Sequence, residues 1–490
     1  MNAKYFIIIL SALLLNKMVA QETSIVHVSN HNLNHFGWEI AADNGFCAIA
    51  DPRDSVNAYA NGSVKLYAKV GNVWSFHSSM QNQNLQAYDY FGREMEMHGN
   101  FLAVSSLSNP DYGFMSGAVH IYYFEDNVWK YIQTLTQDIA QEKTLFGESI
   151  FMDDNTLYIG APGTDNEGAV FVYSLVDNKF QLSQKISNPY PLKMQFGKSI
   201  AAVGNYLFIG APSGNMANYE GTVFIYHKSG NQWVQNSSQF EIIPDETDYG
   251  SLFGFSVCAE DSALVVGAPH ANIASGDGEV YVFGGKVYYY KLVSEQWVKQ
   301  KVFSNPEPDS HDLFGSIVKL KNNAVYVSSP KDDIEVQDEG SLFQFKFVDG
   351  VWENLRLRNS NFSVNSYFSK AFEISSNSLL VGNGGVKTEK NIGVVHCFDL
   401  QNISALKNDI SIEPRSITIY PNPANDKIFI NMDRIKAYNI KIAGLNGQIY
   451  IDENGIGTKT LKTNKLSDGT YMLIITDGKE TYSNELIIKH

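Results

Sequence analysis

Phe146-Gly147-Glu148-Ser149-Ile150 opens a stretch that runs through Leu157-Tyr158-Ile159-Gly160-Ala161-Pro162 to Gly168-Ala169-Val170-Phe171-Val172-Tyr173. The same order returns at Phe196-Gly197, Leu207 to Pro212, Gly221 to Tyr226 and then Trp233. Further Phe-Gly pairs stand at Phe36-Gly37, Phe91-Gly92, Phe253-Gly254 and Phe314-Gly315, with an altered copy at Phe368-Ser369. Successive copies lie 50 to 61 residues apart. Such a period marks one supersecondary unit used seven times.

Each unit reads as four strands. Phe-Gly begins the first. Gly-Ala-Pro ends the second, because proline cannot donate to a ladder. Gly-x-Val begins the third, and an aromatic residue marks the fourth, as in Phe180 to Ile186. The turn after the first strand is short and rich in Asn, Asp and Gly, as in Asp43-Asn44-Gly45, Asp153-Asp154-Asn155 and Lys321-Asn322-Asn323. These residues tolerate positive φ and make tight hairpins. Seven such antiparallel units predict an all-β chain built on a seven-bladed β-propeller.

One spacing checks the register. Twelve residues separate Gly62 from Trp74, Gly117 from Trp129, Gly168 from Phe180, Gly221 from Trp233, Gly285 from Trp297 and Gly340 from Trp352. The fifth unit therefore carries a seven-residue insertion near Gly276 to Phe283. The seventh has three strands, Ala371 to Ser375, Leu379 to Gly382 and Gly393 to Leu400, and lacks its aromatic residue. Ser24 to Ser29, ahead of the first Phe-Gly, has strand character and is expected to supply the missing outer strand.

The ends and the composition bound the rest. Lys4 followed by the apolar run Tyr5 to Leu15 and by Met18-Val19-Ala20 reads as a signal peptide over 1–20, leaving Gln21 as the new terminus. The run is about half of the ~20 residues a bilayer span needs, so no transmembrane segment is expected. Cys47, Cys258 and Cys397 each lie in an apolar run, and an odd count leaves at least one thiol free. The formal net charge is -15. Residues 416–490 sum to +1 and the first 20 carry +2, which leaves -18 on 21–415. So acidic a body argues against nucleic acid and anionic membranes as partners.

The repeats resemble the FG-GAP family, whose units build the integrin α-subunit propeller. The likeness covers about 36 to 400. Members of that family often hold calcium in an Asp-x-Asp-x-Asp-Gly-x-x-Asp loop between Phe-Gly and Gly-Ala-Pro. That position here holds only short turns such as Val203-Gly204-Asn205, so no cofactor is expected and calcium is not carried over. The C-terminus resembles the type A sorting domain of the type IX secretion system of Bacteroidetes. The likeness rests on Tyr420-Pro421-Asn422-Pro423-Ala424, Gly444-Leu445-Asn446-Gly447-Gln448-Ile449, Leu466-Ser467-Asp468-Gly469-Thr470-Tyr471 and the ending through Lys489. It implies a small β-sandwich over 416–490, contact with the secretion machinery, export across the outer membrane, and removal of the domain. Residues 401–415 read as a linker.

Loops between strands two and three, and between strand four and the next unit, share one face of such a fold. Here they are acidic. The first kind supplies Asp165, Glu167, Glu220, Asp332, Asp333, Glu335, Asp338 and Glu339, and the second Asp245, Glu246, Asp248, Glu307, Asp309 and Asp312. The rim reads either as a binding face for a cation or basic partner or as a solubilising surface. His27, His31 and His35 cannot share one metal ion on a strand, where four residues span about 13 Å. There is no His-Glu-x-x-His, Gly-x-Ser-x-Gly, phosphate loop or Cys-x-x-Cys. Gly147-Glu148-Ser149 and Gly197-Lys198-Ser199 belong to the repeat itself.

The expectation is a monomeric, secreted or surface-held propeller that binds extracellular protein or glycan without catalysis. A polysaccharide- or ester-cleaving enzyme, with its site in the acidic loops near the insertion, is one alternative. A structural surface component is the other. Exposed aromatics such as Tyr219 and Tyr249 would favour binding. Deleting residues 21–30 should lower the melting temperature markedly, and an unchanged melt would refute the closing role of the N-terminal strand.

Overall fold

A computed structural model describes residues 23–490 apart from 29–34, 56–58, 72, 83–86, 108–112, 138–140, 193, 214–220, 236–237, 245–249, 275–277, 360–363, 385–391, 401–416, 433–436, 457–458 and 477–480. The expectations for the signal peptide 1–20, His31, Tyr219, Glu220, Asp245, Glu246, Asp248, Tyr249, Gly276 and the linker 401–415 lie outside the described residues.

The described chain is all β, its strands gathered into many small sheets. Repeat three shows the pattern. Ser149–Asp153, Thr156–Ala161, Ala169–Val176 and Lys179–Ser187 pair in that order, all antiparallel. The second strand is apolar and almost wholly buried, while the fourth buries only Phe180 and Ile186 and leaves the residues between them exposed or half-buried. Burial thus peaks in the second and third strands and is lost on the fourth, which faces water. Asp177 and Asn178 both take positive φ, as a two-residue hairpin between the last strands requires.

Neighbouring sheets meet through main chain. Gly168 sits at φ +100, and a Cβ there would lie 2.2 Å from the carbonyl oxygen of Phe196 in the next repeat. Only glycine lets the backbones approach so closely. Gly62, Gly117, Gly221, Gly285 and Gly340 meet Phe91, Phe146, Phe253, Phe314 and Phe368 in the same way. Ser149, Ser199 and Ser256 each donate a hydroxyl proton to the carbonyl of the next Phe-Gly glycine, at 2.8 Å.

The outer aromatic residues pack backward onto the preceding repeat. Trp129 meets Phe46, Phe180 meets Phe101, Trp233 meets Tyr158, Trp297 meets Phe208 and Trp352 meets Phe303, with ring centroids 5.0 to 6.2 Å apart. Gln133, Gln184 and Gln239 each bond both the N–H and the C=O of the following repeat's aromatic residue: Phe180, Trp233 and Trp297. Trp74, of the first repeat, shares a cluster with Ile25 and with Ala371, Leu380 and Cys397 of the seventh. The first strand of repeat one, Ile40–Asp43, touches both Met95–His98 of repeat two and Phe368–Ser375 of repeat seven.

The N-terminal strand Thr23–Val28 runs antiparallel beside Ile392–Asp399 of repeat seven, pairing Ile25 with Val395. Its other edge pairs in parallel with Thr481–Ile488, near the end of the chain. Gly469–Thr476, Ala437–Gly444 and Ile449–Ile456 continue outward, giving one eight-stranded sheet. The C-terminal strands are therefore joined to the repeats, where the sequence suggested a unit standing apart. A lone strand has two edges of unpaired backbone groups, and here each edge is satisfied by a different part of the chain. Its side chains split the same way. Ile25 joins the cluster of repeats one and seven, whereas Val26 joins the C-terminal core with Ile440, Leu473 and Leu486. A three-stranded sheet, Ile417–Tyr420, Lys427–Met432 and Lys459–Lys462, closes that core from the far side. The Tyr67 hydroxyl and Ser483 Oγ lie 2.8 Å apart across the junction, and Phe76 packs beside Ala443, Met472 and Ile474.

The insertion in repeat five forms a small hairpin of its own, Ile273–Ala274 against Val280–Tyr281. Cys47 and Cys397 are both buried and share one cluster.

Two glycine substitutions should separate local strain from loss of the inter-sheet contact. Gly45 also takes positive φ, +78, but has open space around it. Gly45→Ala should cost about 1 kcal/mol from left-handed strain. Gly168→Ala should cost about 3 kcal/mol or more, because the new Cβ must displace backbone. Urea unfolding midpoints measure both, and equal losses would refute the contact's importance.

Candidate functional site

Two places gather unusual side chains: the loop face and the cavity at its centre. On the loop face, the acidic residues divide by burial. Asp332 is 1% exposed, and both Nε and Nη2 of Arg356 donate to its Oδ2, while Asn305 Nδ2 donates to its Oδ1 at 2.8 Å. Asp312 is fully buried, accepting from Asn305 Nδ2 and from the Asp309 N–H, each at 2.8 Å. Burial pushes its carboxyl up to about 7, against the hydrogen bond from Asp309. Neither is available to a partner on the surface, and this corrects their reading as rim residues. Arg356 also reaches Glu307 at 2.9 Å. Asp165, Asp309 and Asp333 are exposed, Asp165 lying 3.2 Å from Lys185. Glu167 and Asp338 are half-buried, and the Asp338 N–H donates to Asp333.

Asp312 belongs to a position that the sequence reading missed. Two residues before Phe-Gly stands a buried polar side chain: Asp89, Thr144, Ser251, Asp312 and Ser366. Its two neighbours take positive φ, as at Tyr88 and Tyr90 or His311 and Leu313. That backbone turn lets three N–H groups bond the previous repeat's loop, as Tyr88, Tyr90 and Phe91 bond the carbonyls of Tyr59, Ala60 and Asn61 at 2.9 to 3.2 Å. The signal was present as Asp-x-Phe-Gly and Ser-x-Phe-Gly, hidden by its varied chemistry.

The same turns hold aromatic rings in water. Tyr59 is 57% exposed and Tyr88 53%, with ring centroids 5.3 Å apart, and Tyr90 stands 6.3 Å beyond Tyr88. Phe114, in the equivalent loop of repeat two, is also exposed.

The central cavity has a volume of about 380 Å³ and is lined by residues of all seven repeats. Of the residues that follow each Phe-Gly or its altered copy, namely Trp38, Arg93, Glu148, Lys198, Phe255, Ser316 and Lys370, Glu148, Lys198, Phe255 and Ser316 line the cavity. Neighbours in this series touch. Arg93 and Lys370 stand 5.6 and 5.1 Å from the Trp38 ring, and Lys198 stands 5.0 Å from the Phe255 ring. Glu148 lies 2.6 Å from Lys198 and 3.8 Å from Arg93. Burial pushes Glu148 up, but these two cations outweigh it and hold it below the usual range. Deeper in, Lys319 pairs with Glu373 at 2.5 Å. Burial raises Glu39 to about 7 and Glu96 to about 8, against the pull of Lys319. It also pushes Glu94 well up, helped by Glu39 and Glu148. Among the described residues, no three His, Cys, Asp or Glu side chains lie close enough to hold a metal ion. Burial leaves His27 and His35 neutral at pH 7, at about 3 and about 4.

In the C-terminal unit, Tyr420 stacks on Phe429 at 5.4 Å. Between Pro421 and Pro423, the Asn422 amide ties the segment to the last strand, donating to Glu485 O at 2.6 Å and accepting from the Ile487 N–H at 2.9 Å. Gly469 opens a strand, Tyr471 donates to Ser467 O at 3.0 Å, and the Lys489 N–H donates to Ala424 O at 2.8 Å.

Glu96 offers a test of the cavity's electrostatics. Its folded value, about 8, exceeds its ordinary 4.5. The folded chain therefore binds more protons than the unfolded one between those values, and stability is lost as pH rises through them. Glu96→Gln should melt with the wild type near pH 5 and a few degrees above it near pH 9. A variant less stable than wild type at the higher pH would contradict this.

Comparison with known proteins adds two findings. Among solved structures, the chain is similar to PorZ of Porphyromonas gingivalis, an essential surface component of that organism's type-IX secretion system, at TM-score 0.41 and 13% identity. That likeness covers 94% of this chain, which spans 60% of the length of PorZ. Among the described residues, no helix is long and apolar enough to cross a membrane. Residues 418–489 match the model of the secretion system C-terminal sorting domain. The C-terminal unit is thus a sorting domain of the type IX system, through which the chain is exported to the cell surface or beyond.

Proposed function

We propose that the mature chain is a seven-bladed propeller of the FG-GAP type that binds extracellular protein or glycan through its loop face. Residues 21–400 would form that module and 416–490 the export unit. The propeller reading is supported by the cavity that all seven repeats line and by the contact of repeat one with both two and seven. Loops brought to one face of a rigid scaffold are a common place for recognition.

The observation that carries binding is the cluster of exposed Tyr59 and Tyr88 with half-buried Tyr90 beside them. Backbone bonds fix its loops, so little entropy is lost when a partner settles on the rings. Rigid tyrosines, apolar on the face and polar at the tip, suit sugar faces and protein partners alike. Asp165, Asp309 and Asp333 add exposed negative charge to the same face. The reading requires neither catalysis nor a cofactor.

The mature chain should be screened on arrayed glycans and matrix proteins, with calcium and with chelator. A saturable hit is expected in both, weakened roughly ten-fold by Tyr59→Ala with Tyr88→Ala at an unchanged melting temperature. A hit indifferent to the double variant would move the site off these loops. Silence across the array would favour the enzymatic or structural alternative.

A further inference from the structure

We propose that the loop end of the central cavity is an oxyanion site, in which Arg93, Lys198 and Lys370 receive the carboxylate or sulfate group of an acidic sugar. This deepens the binding role proposed above by naming a ligand class, but it rests on separate residues. The side chains that follow Phe-Gly come from different repeats; Glu148 and Lys198 line the cavity, and contacts through Glu148 and the Trp38 ring hold Arg93 and Lys370 beside them. Three are cations and only Glu148 is an anion, in a body that carries -18 over residues 21–415. Glu148 balances only part of this local reversal of sign, which leaves room for a further counter-charge.

The cations are also held in place. Arg93 and Lys370 share the Trp38 ring, and Lys198 is anchored by Phe255 and Glu148. Lys370 is exposed and forms no ion pair among the described residues; desolvation, Arg93 and Lys198 lower its pKa, while Glu39 and Glu94 raise it. An entering oxyanion would relieve that crowding and accept charge-assisted hydrogen bonds from donors that are already positioned. The carboxyls beneath do not oppose it strongly, because burial favours their neutral forms at Glu39, Glu94 and Glu96. Each first strand begins where the interrepeat loops end, so this end of the cavity opens among those loops and an acidic chain lying on them could lower one acid group into it.

A free inorganic anion offers the same chemistry, and the test separates the two sources. The mature full-length chain is titrated calorimetrically with a galacturonate oligosaccharide, with the neutral galactose oligosaccharide of equal length, and with inorganic sulfate. The galacturonate should bind and the neutral sugar should not, or should bind more weakly. Arg93→Gln and Lys370→Gln should each weaken galacturonate binding roughly ten-fold. Lys370→Gln removes an exposed cation that has no ion pair among the described residues, so its fold should survive, and the melting temperature checks this. Sulfate binding that is lost in both variants, without galacturonate binding, would keep the oxyanion site but overturn the sugar. If neither anion binds, or if both variants bind as the wild type does, the site is refuted. Tyr59→Ala with Tyr88→Ala should leave sulfate binding intact, so failure of the loop-face reading would be seen separately.

Discussion

The architecture depends on one steric allowance: a glycine at positive φ ahead of the third strand in each of the first six repeats, against which the next Phe-Gly or Phe-Ser backbone rests. A methyl group there would overlap a carbonyl. With that contact made, the next sheet can sit at only one distance and angle. The serine hydroxyls then reach the next glycine carbonyl, and the outer rings reach the previous sheet. Phe and Gly are pinned by the preceding repeat, and the residue after them falls on or beside the cavity wall, as at Glu148, Lys198, Phe255 and Ser316. A packing rule repeated six times thereby places equivalent positions beside one cavity, and the chemistry at them varies from repeat to repeat.

How much of this the sequence discloses follows from what each position must satisfy. Phe-Gly, Gly-Ala-Pro and Gly-x-Val are legible because sterics demand particular residues at a fixed spacing. Trp38, Arg93, Glu148 and Lys198 are illegible as a set, since they lie 50 or more residues apart and share no chemistry. Two of them were set aside as parts of the repeat motif. Asp332 looks like a rim acid because its loop is acidic. Only the position of Arg356, on the neighbouring strand, reveals an internal ion pair. Desolvation makes such a pair weak evidence of stability but strong evidence that the carboxylate is committed.

The pairing of the two chain ends was only half legible. An outer strand missing from repeat seven suggests a partner for Thr23–Val28, and alternation makes it a strand. Nothing in a six-residue segment announces a second partner some 450 residues away, at Thr481–Ile488. Local pattern records which faces are buried. It does not record against what, and here Ile25 and Val26 are buried in different cores.

That arrangement orders assembly in time. Joining Val26 to Val394 closes a loop some seven times longer than one repeat. By chain entropy alone this costs about 2 kcal/mol more than joining adjacent repeats. The earliest residues made therefore wait for nearly the last, and the C-terminal strands cannot find their edge before the N-terminal strand has taken its place. The sorting domain thus docks on a surface that exists only once the body has closed, so its docked form reports a completed fold. Its removal, which the family resemblance implies, would uncover an open strand edge with Val26 beside it, the kind of edge that other chains adhere to.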